Sequence, residues 1–385
     1  MTSDQGIRRS IGIVAGETSG DLLGGLLVKA LRERHADLTF EGIAGPKMQA
    51  QGARSLFPME TLSVRGYVEA LSSLGKILSI RRRLGKHLLT HPPKLFVGID
   101  APDFNLSLEA RLKRAGIPTV HFIGPSIWAW RRERIEKIRK AVSHMLLVFP
   151  FEDAIYRDAG IPATYVGHPL AYALPAQPNR AQARERLGLN AEATYLALLP
   201  GSRQSEVEHL AGLFLETAKL LYAQRPDLRF IVPLATQETR RLFELAIHNH
   251  GATELPLRIL FGHSHDALQA ADAAIVASGT ATLEAALLDC PHVITYRVPW
   301  LTYKIMMRQA YLPWVGLPNI LANRDVVPEL LQDKAQPEHL AEATLRVLSD
   351  AGQRDTMFDA FAGIRHSLRR DTPRLIGAAL EPFLR

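Results

Sequence analysis

Val97-Gly98-Ile99-Asp100-Ala101-Pro102-Asp103-Phe104-Asn105 is the stretch that decides how the chain is read. The apolar run Leu95 to Ile99 has the length of a buried strand, and Pro102, which lacks an amide donor, cannot continue a central strand. A carboxylate, Asp100, therefore stands where a strand gives way to a loop. Open α/β sheets bind ligands outside the carboxyl ends of their strands, which makes Asp100, Asp103 and Asn105 candidate ligand-facing residues. A plain helix cap accounts equally well for Asp103 and Asn105, which adjoin a helical pattern starting near Leu106, and less well for Asp100.

The same order recurs on either side. Ile11 to Ala15 reads as a strand, Gly16-Glu17-Thr18-Ser19-Gly20-Asp21 as a turn, and Leu22, Leu23, Leu26, Leu27, Ala30 and Leu31 as a helical face. Glycines there let the backbone approach a ligand, but the Gly-x-x-x-Gly spacing is not the dinucleotide fingerprint, and the acidic pair would repel a phosphate. Sugar hydroxyls suit Glu17, Ser19 and Asp21 better; the alternative is that Ser19 or Asp21 only caps the helix. Phe40 to Ala44, Thr119 to Ile123 and Met145 to Phe149 are further strands. Between the last two, Gly124-Pro125-Ser126-Ile127-Trp128-Ala129-Trp130-Arg131 spends two tryptophans on a loop, which suits packing against a ligand or a neighbouring domain, and a charged helix runs from Arg132 to Lys140. His168, beside a proline at the end of this half, reads as a hinge or pocket-wall residue, and Pro175 to Pro178 as a linker.

The second half repeats the alternation, with strands at Tyr195 to Leu199, Phe230 to Pro233, Leu257 to Leu260 and Ala273 to Ala277. Gly201 and Ser202 open a helix where backbone N–H groups are free for an anion, Arg203 adds a bidentate charge, and Glu206 follows. Ser278-Gly279-Thr280 forms a second anion-sized turn, Glu284 one helical turn later suits ribose hydroxyls, and Asn319 in Leu317-Pro318-Asn319 is placed to reach phosphate or sugar. Together these turns predict a nucleotide diphosphate site. Amphipathic helices follow at Glu338 to Leu348 and from Gln353 to about Leu368, then a helical tail. The pattern predicts two doubly wound Rossmann-like domains, residues 1–172 and 173–365, and a tail, 366–385, packing back on the first domain or on a partner subunit.

Composition sets limits on these readings. A chain of 385 residues, 47% hydrophobic and 22% charged, suffices for two cores. Cys290 is the sole cysteine, which excludes an internal disulfide and fits a reducing compartment. Residues 1–10 are polar, and the apolar runs carry charges such as Asp272 and Glu284, so a soluble or peripheral protein is expected. The net charge of +7 suits an anionic partner, but zinc-finger spacing and aromatic RNA-binding motifs are missing, and nucleic acid is not expected. Leu62, Val64, Tyr67, Val68, Leu71, Leu74, Ile77 and Leu78 recur at helical spacing and lead to Arg81, Arg82, Arg83, Lys86 and His87. Such a stripe is either an ordinary core helix with a solvated basic end or a face lying on anionic lipid.

Taken together, Gly-Glu-Thr-Ser-Gly-Asp at 16–21, Gly-Ile-Asp-Ala-Pro-Asp-Phe-Asn at 98–105, Pro-Ser-Ile-Trp-Ala-Trp-Arg at 125–131, Pro-Gly-Ser-Arg at 200–203, Ala-Ser-Gly-Thr-Ala-Thr-Leu-Glu at 277–284 and Leu-Pro-Asn at 317–319 resemble the lipid A disaccharide synthases, glycosyltransferases of the B-type fold with two Rossmann-like domains facing across a cleft. The resemblance implies a reaction, the joining of UDP-2,3-diacylglucosamine to 2,3-diacylglucosamine 1-phosphate through a β-1,6 bond with release of UDP and without metal or cofactor. It implies roles as well. Asp100 becomes the general base. Gly201, Ser202, Arg203, Glu206, Ser278, Gly279, Thr280, Glu284 and Asn319 hold the nucleotide. Glu17, Ser19, Gly20, Asp21, Asn105 and Ser126 line the sugar and acceptor side. Acylated substrates favour the lipid-facing reading of Val64, Tyr67, Val68, Leu71, Leu74, Arg81, Arg82 and Arg83, hence a cytoplasmic protein peripheral to the inner membrane, and the family implies a homodimer. Two readings compete: an enzyme like the UDP-N-acetylglucosamine 2-epimerases, which needs no lipid-facing helix, and a non-enzymatic nucleotide-binding protein, which leaves Asp100 without a purpose.

Overall fold

In the computed structural model the described residues are 9–62, 67–129, 131–298 and 311–385; for residues 18 and 67–73 the description covers the backbone alone. They divide into two compact units, residues 1–172 with 368–385, and residues 173–367.

The sheet of the first unit is built from β1 (Ser10–Ala15), β2 (Thr39–Ile43), β3 (Ala53–Ser55), β4 (Leu95–Ile99), β5 (Thr119–Phe122), β6 (His144–Leu147) and β7 (Ala163–Tyr165). Among the described residues the order is β3-β2-β1-β4-β5-β6-β7, with every neighbouring pair parallel. Parallel strands are covered by helices on both faces, which is why β1 and β4 are unbroken apolar runs. Chain order reverses at the centre, between β1 and β4, so the loops that follow these two strands leave in different directions and open a crevice at their carboxyl ends.

The second unit follows the same rule. Its strands are β8 (Thr194–Leu199), β9 (Leu228–Leu234), β10 (Leu257–Phe261), β11 (Ala273–Ala277), β12 (His292–Tyr296) and β13 (Glu329–Leu331), all parallel in the order β10-β9-β8-β11-β12-β13. The reversal here lies between β8 and β11.

The chain returns to the first unit after residue 367. The helix Thr372–Leu380 packs on the helix Thr18–Arg34, burying Ile376 and Leu380, and His35 Nε2 meets Glu381 Oε2 at 3.0 Å. The helical stripe that leads to the basic cluster belongs to a helix running from Tyr67 to Thr90, because Ile80, Leu84 and Leu88 continue the buried face at four-residue steps. Arg81, Arg82 and Arg83 therefore lie within the helix. Among the described residues no helix is long and apolar enough to cross a membrane.

Asp21 belongs to this framework. Its side chain is buried, and its carboxylate accepts hydrogen bonds from Lys47 N at 2.8 Å and Met48 N at 3.0 Å, so it serves the N-terminus of the short helix Pro46–Ala50. Removing a charged acceptor of one buried and one partly buried amide costs about 1–3 kcal/mol, so Asp21→Ala lowers the thermal midpoint by several degrees in differential scanning calorimetry; an unchanged midpoint contradicts the role.

Candidate active site

The carboxyl ends of β1 and β4 bring two of the expected motifs together. A Cβ placed on Gly16 would come within 2.6 Å of Ala101 Cβ, so the turn after β1 sits directly against the corner after β4, and the missing side chain at 16 permits that approach. The corner is strained. Asp100 and Ala101 both have positive φ, 50° and 43°, and Ile123 at the end of the adjacent strand has φ 66°. Left-handed backbone costs an L-residue roughly 1–2 kcal/mol, more for a β-branched one, and such strain collects where a site needs it. Asp100 N still donates to Phe122 O at 2.9 Å, so the strand pairing extends to the residue that turns away.

Around this corner the motif residues separate by burial. Asp100 is partly exposed, and Glu17, Ser19 and Ser126 are exposed. Gly20 is buried against Ala15 and Ile99. Asp103 is a surface residue that meets Arg134 at 3.3 Å. Two expectations are corrected. Asp21 was read as a sugar ligand, but both its oxygens are taken by the backbone amides described above. Asn105 was read as an acceptor contact, but it has no exposed surface, and its Nδ2 donates to Asp100 O at 2.8 Å.

Trp128 and His168, read from the sequence as loop and pocket-wall residues, are joined by Phe149 and Phe151 in one aromatic group. Trp128 meets Phe149 and Phe151 edge-on, with ring centres 5.9 and 5.3 Å apart, and Phe149 also faces the ring of His168. His168 is buried, its Nδ1 accepts from Leu170 N at 3.2 Å, and burial pulls its pKa down to about 4. Held neutral by burial and bonded through Nδ1 to the backbone, His168 packs into the aromatic group. Trp130, the second tryptophan of the motif, lies outside the described residues, as does Val64 of the proposed lipid face; for Tyr67, Val68 and Leu71 only the backbone is described. On the remainder of that helix, Leu74 is 49% exposed and Arg82 and Arg83 are exposed, while half-buried Arg81 donates to Asp103 O at 3.1 Å.

In the second unit both expected turns fall at the strand-order reversal. After β8, Gly201 has φ 126°, and Glu206 Oε2 accepts from Ser202 N at 3.0 Å and Arg203 N at 3.2 Å. The amide of Ser202, expected with that of Gly201 to be free for an anion, is thus occupied, as is the amide of Arg203, by a carboxylate of the same helix. Arg203 presents the turn's charge outward, with its side chain 66% exposed. After β11, a Cβ on Gly279 would meet nothing within 4 Å, and Gly279 and Thr280 are exposed at the start of the helix Thr280–Leu287. Glu284 is held by His265 Nε2 at 3.2 Å, and its carboxylate raises the His265 pKa. His265 had no motif to mark it. Asn319 is a further correction: it is buried, Nδ2 donates to Val327 O and Glu329 Oε1, both at 2.8 Å, and Oδ1 accepts from Val326 N and Val327 N. With its amide saturated, it fastens a loop instead of reaching a ligand.

Residues 11–377 match the family described as lipid-A-disaccharide synthetase. The chain is 55% identical over 376 residues to a lipid-A-disaccharide synthase from Methylobacillus flagellatus, covering 98% of this chain and 100% of that one. This chain belongs to the lipid-A-disaccharide synthetase family. A second relative of that name, from Aromatoleum aromaticum, is 54% identical and covers 97% of this chain and 96% of its own length. Membership makes the protein a glycosyltransferase of lipid A biosynthesis. Among solved structures, a UDP-GlcNAc 2-epimerase from Neisseria meningitidis bound to UDP-GlcNAc superimposes with a TM-score of 0.63 over 97% of both chains, but at 10% identity that likeness shows the fold alone. The family thus separates this chain from the epimerase reading, and its two parallel-sheet units carry the B-type glycosyltransferase fold.

One buried carboxyl near the aromatic group answers to pH. Glu152 is almost wholly buried and accepts from Phe149 N at 3.0 Å, and burial pushes its pKa up to about 7, against the opposing pull of the Phe149 and Val148 amides. Between its ordinary value of 4.5 and about 7 the folded state keeps a proton that the unfolded state releases, so this group makes stability fall as pH rises through that window and leaves it level above. Glu152→Gln keeps an acceptor without titrating, and the fall in melting temperature from pH 5 to 7 should shrink; an identical slope in both proteins refutes the assignment.

Proposed function

We propose that the protein transfers the sugar of UDP-2,3-diacylglucosamine to the 6-hydroxyl of 2,3-diacylglucosamine 1-phosphate, with Asp100 as general base. The observation that carries this reading is the placement of Asp100: a partly exposed carboxylate on a left-handed corner, at the strand-order reversal, against the Gly16 turn that leads through Glu17 into the helix bearing Ser19. Asp100 removes the hydroxyl proton as the acceptor oxygen bonds to the anomeric carbon. The bond from that carbon to the diphosphate oxygen breaks on the opposite face, with inversion, and the electron pair leaves with UDP.

Residues 1–172 hold the acceptor in this reading and residues 173–365 the nucleotide sugar. Arg203 and the amides at the start of the helix Thr280–Leu287, with Ser278 and Thr280, meet the charge that develops on the leaving diphosphate. Glu284, oriented by His265, takes the ribose hydroxyls. Glu17, Ser19 and Ser126 are the exposed polar groups on the acceptor side. The purified protein in detergent, given both substrates, should release UDP only when acceptor is present and should form a disaccharide. A positioned base is worth about a hundredfold or more, so Asp100→Asn should lose that much turnover while still binding UDP. Normal turnover in Asp100→Asn removes Asp100 from the role.

Acylated substrates bring the enzyme to the cytoplasmic surface of the inner membrane, and we assign that contact to the helix Tyr67–Thr90, with a homodimer as the assembly. Exposed Leu74 offers apolar surface on a helix that two turns further on carries the exposed charges of Arg82 and Arg83, the latter over the Phe57 ring, and anionic lipid attracts such charge at about 1 kcal/mol per residue. Leu74→Ser with Arg82→Gln and Arg83→Gln should lower co-sedimentation with phosphatidylglycerol vesicles about tenfold at low salt. Unchanged co-sedimentation places the membrane contact elsewhere.

A further inference from the structure

Beneath the Asp100 corner lies a polar cluster, formed by Asn105 of the motif with Glu109 and His121 outside it, that the reaction above does not use. Asn105 and Glu109 stand four residues apart on the helix Pro102–Arg114 and project from one face. They point onto Gly98 of β4, where an added Cβ would collide with Glu109 Oε1 and come within 3.0 Å of Asn105 Cβ and Cγ. His121 is the register partner of Gly98 on β5, and its Nδ1 meets Glu109 Oε1 at 2.7 Å. All three side chains have no exposed surface.

The cluster is expensive to keep. Asn105 Oδ1, Glu109 Oε2 and His121 Nε2 are buried without a hydrogen-bond partner among the described residues, and an ion pair taken out of water is often no more stabilising than apolar side chains of the same volume. Burial by itself would lower the His121 pKa, but the carboxylates of Glu109 and Asp100 together with the Ile123 carbonyl outweigh it and raise it. Proteins keep locally unfavourable groups chiefly where function needs them.

The contacts show what the cluster holds. Asn105 takes both carbonyls of the left-handed corner, its backbone N donating to Ala101 O at 3.0 Å and its Nδ2 to Asp100 O at 2.8 Å. We propose that Asn105, packed over Gly98 alongside the buried Glu109–His121 pair, is the positioning residue of Asp100: it pins the peptide that carries the carboxylate, so that the base keeps one orientation through the reaction. The proposal rests on Asp100 being the base, and it gives Asn105 a role that needs no contact with substrate. Displacing a reacting group by about 1 Å can cost a hundredfold in rate, so a tether on the backbone of the base acts on turnover and not on substrate affinity.

The test is steady-state kinetics of Asn105→Leu, Asp100→Asn and the double variant with both acylated glucosamine substrates, alongside thermal melting. Leucine is branched at the same atom as asparagine but cannot donate to Asp100 O or Ile99 O, so a purely structural Asn105 predicts a lower melting temperature with turnover unchanged. The tether predicts a kcat about tenfold lower or more in Asn105→Leu, with both KM values within about twofold of wild type. It also predicts no further loss when Asn105→Leu is added to Asp100→Asn, because without the base there is nothing to position. Wild-type kcat in Asn105→Leu overturns the proposal, as does a change confined to KM or a full additional loss in the double variant. Asp100→Asn that turns over normally overturns the base assignment itself, a failure distinct from an inert Asn105→Leu in an enzyme that Asp100→Asn has silenced. If Asn105→Leu does not fold, Asn105→Ser is read by the same criteria.

Discussion

Each sheet reverses its strand order once, and that single topological constraint decides where chemistry is possible. Right-handed crossovers put the helices after β1 and β4 on opposite faces of their sheet, and the same holds after β8 and β11. The chain segments after those strands lead to opposite faces, so the ends of these strands are where backbone and side chains of different motifs meet without a following helix covering them both. Four of the six motifs sit at these places: Gly16 to Asp21 and the Asp100 corner in one unit, Gly201 to Arg203 and Ser278 to Thr280 in the other.

How legible the fold was in the sequence depends on how completely a strand is buried. β4 and β11, covered on both faces, are unbroken apolar runs, and their limits were read directly as Leu95 to Ile99 and Ala273 to Ala277. The three-residue strands β3, β7 and β13 lie at or near sheet edges and are too short to show a period, and β12 hides behind a histidine and a threonine. β5 was read one residue too long: Ile123 is apolar and β-branched, as a strand residue should be, and nothing in its composition reveals a positive φ.

The site was legible in residue type and less so in residue role. A sequence shows that asparagine or aspartate stands near a strand end, but not where its hydrogen bonds go. Asp21, Asn105 and Asn319 look like ligand contacts by type, and each is spent on backbone that it holds in place. The four-residue spacing of Asn105 and Glu109 was available as a sign of a shared helical face, whereas the pairing of Gly98 with His121 depends on sheet register and leaves no local trace. Glu206 teaches the same lesson at the second unit's turn, where an acidic residue one turn into the helix claims the amides that an anion would use.

Residues 368–385 belong to the unit that the chain began with, so the first unit is discontinuous and the second is inserted into it. During synthesis residues 173–367 are therefore made in full before the first unit possesses all of its parts. Until the helix Thr372–Leu380 arrives, the helix Thr18–Arg34 has no cover where Ile376 and Leu380 will pack. The half of the protein that emerges first is thus the half that finishes last, and it carries an uncovered apolar face for most of its time on the ribosome, where a chaperone finds its substrate.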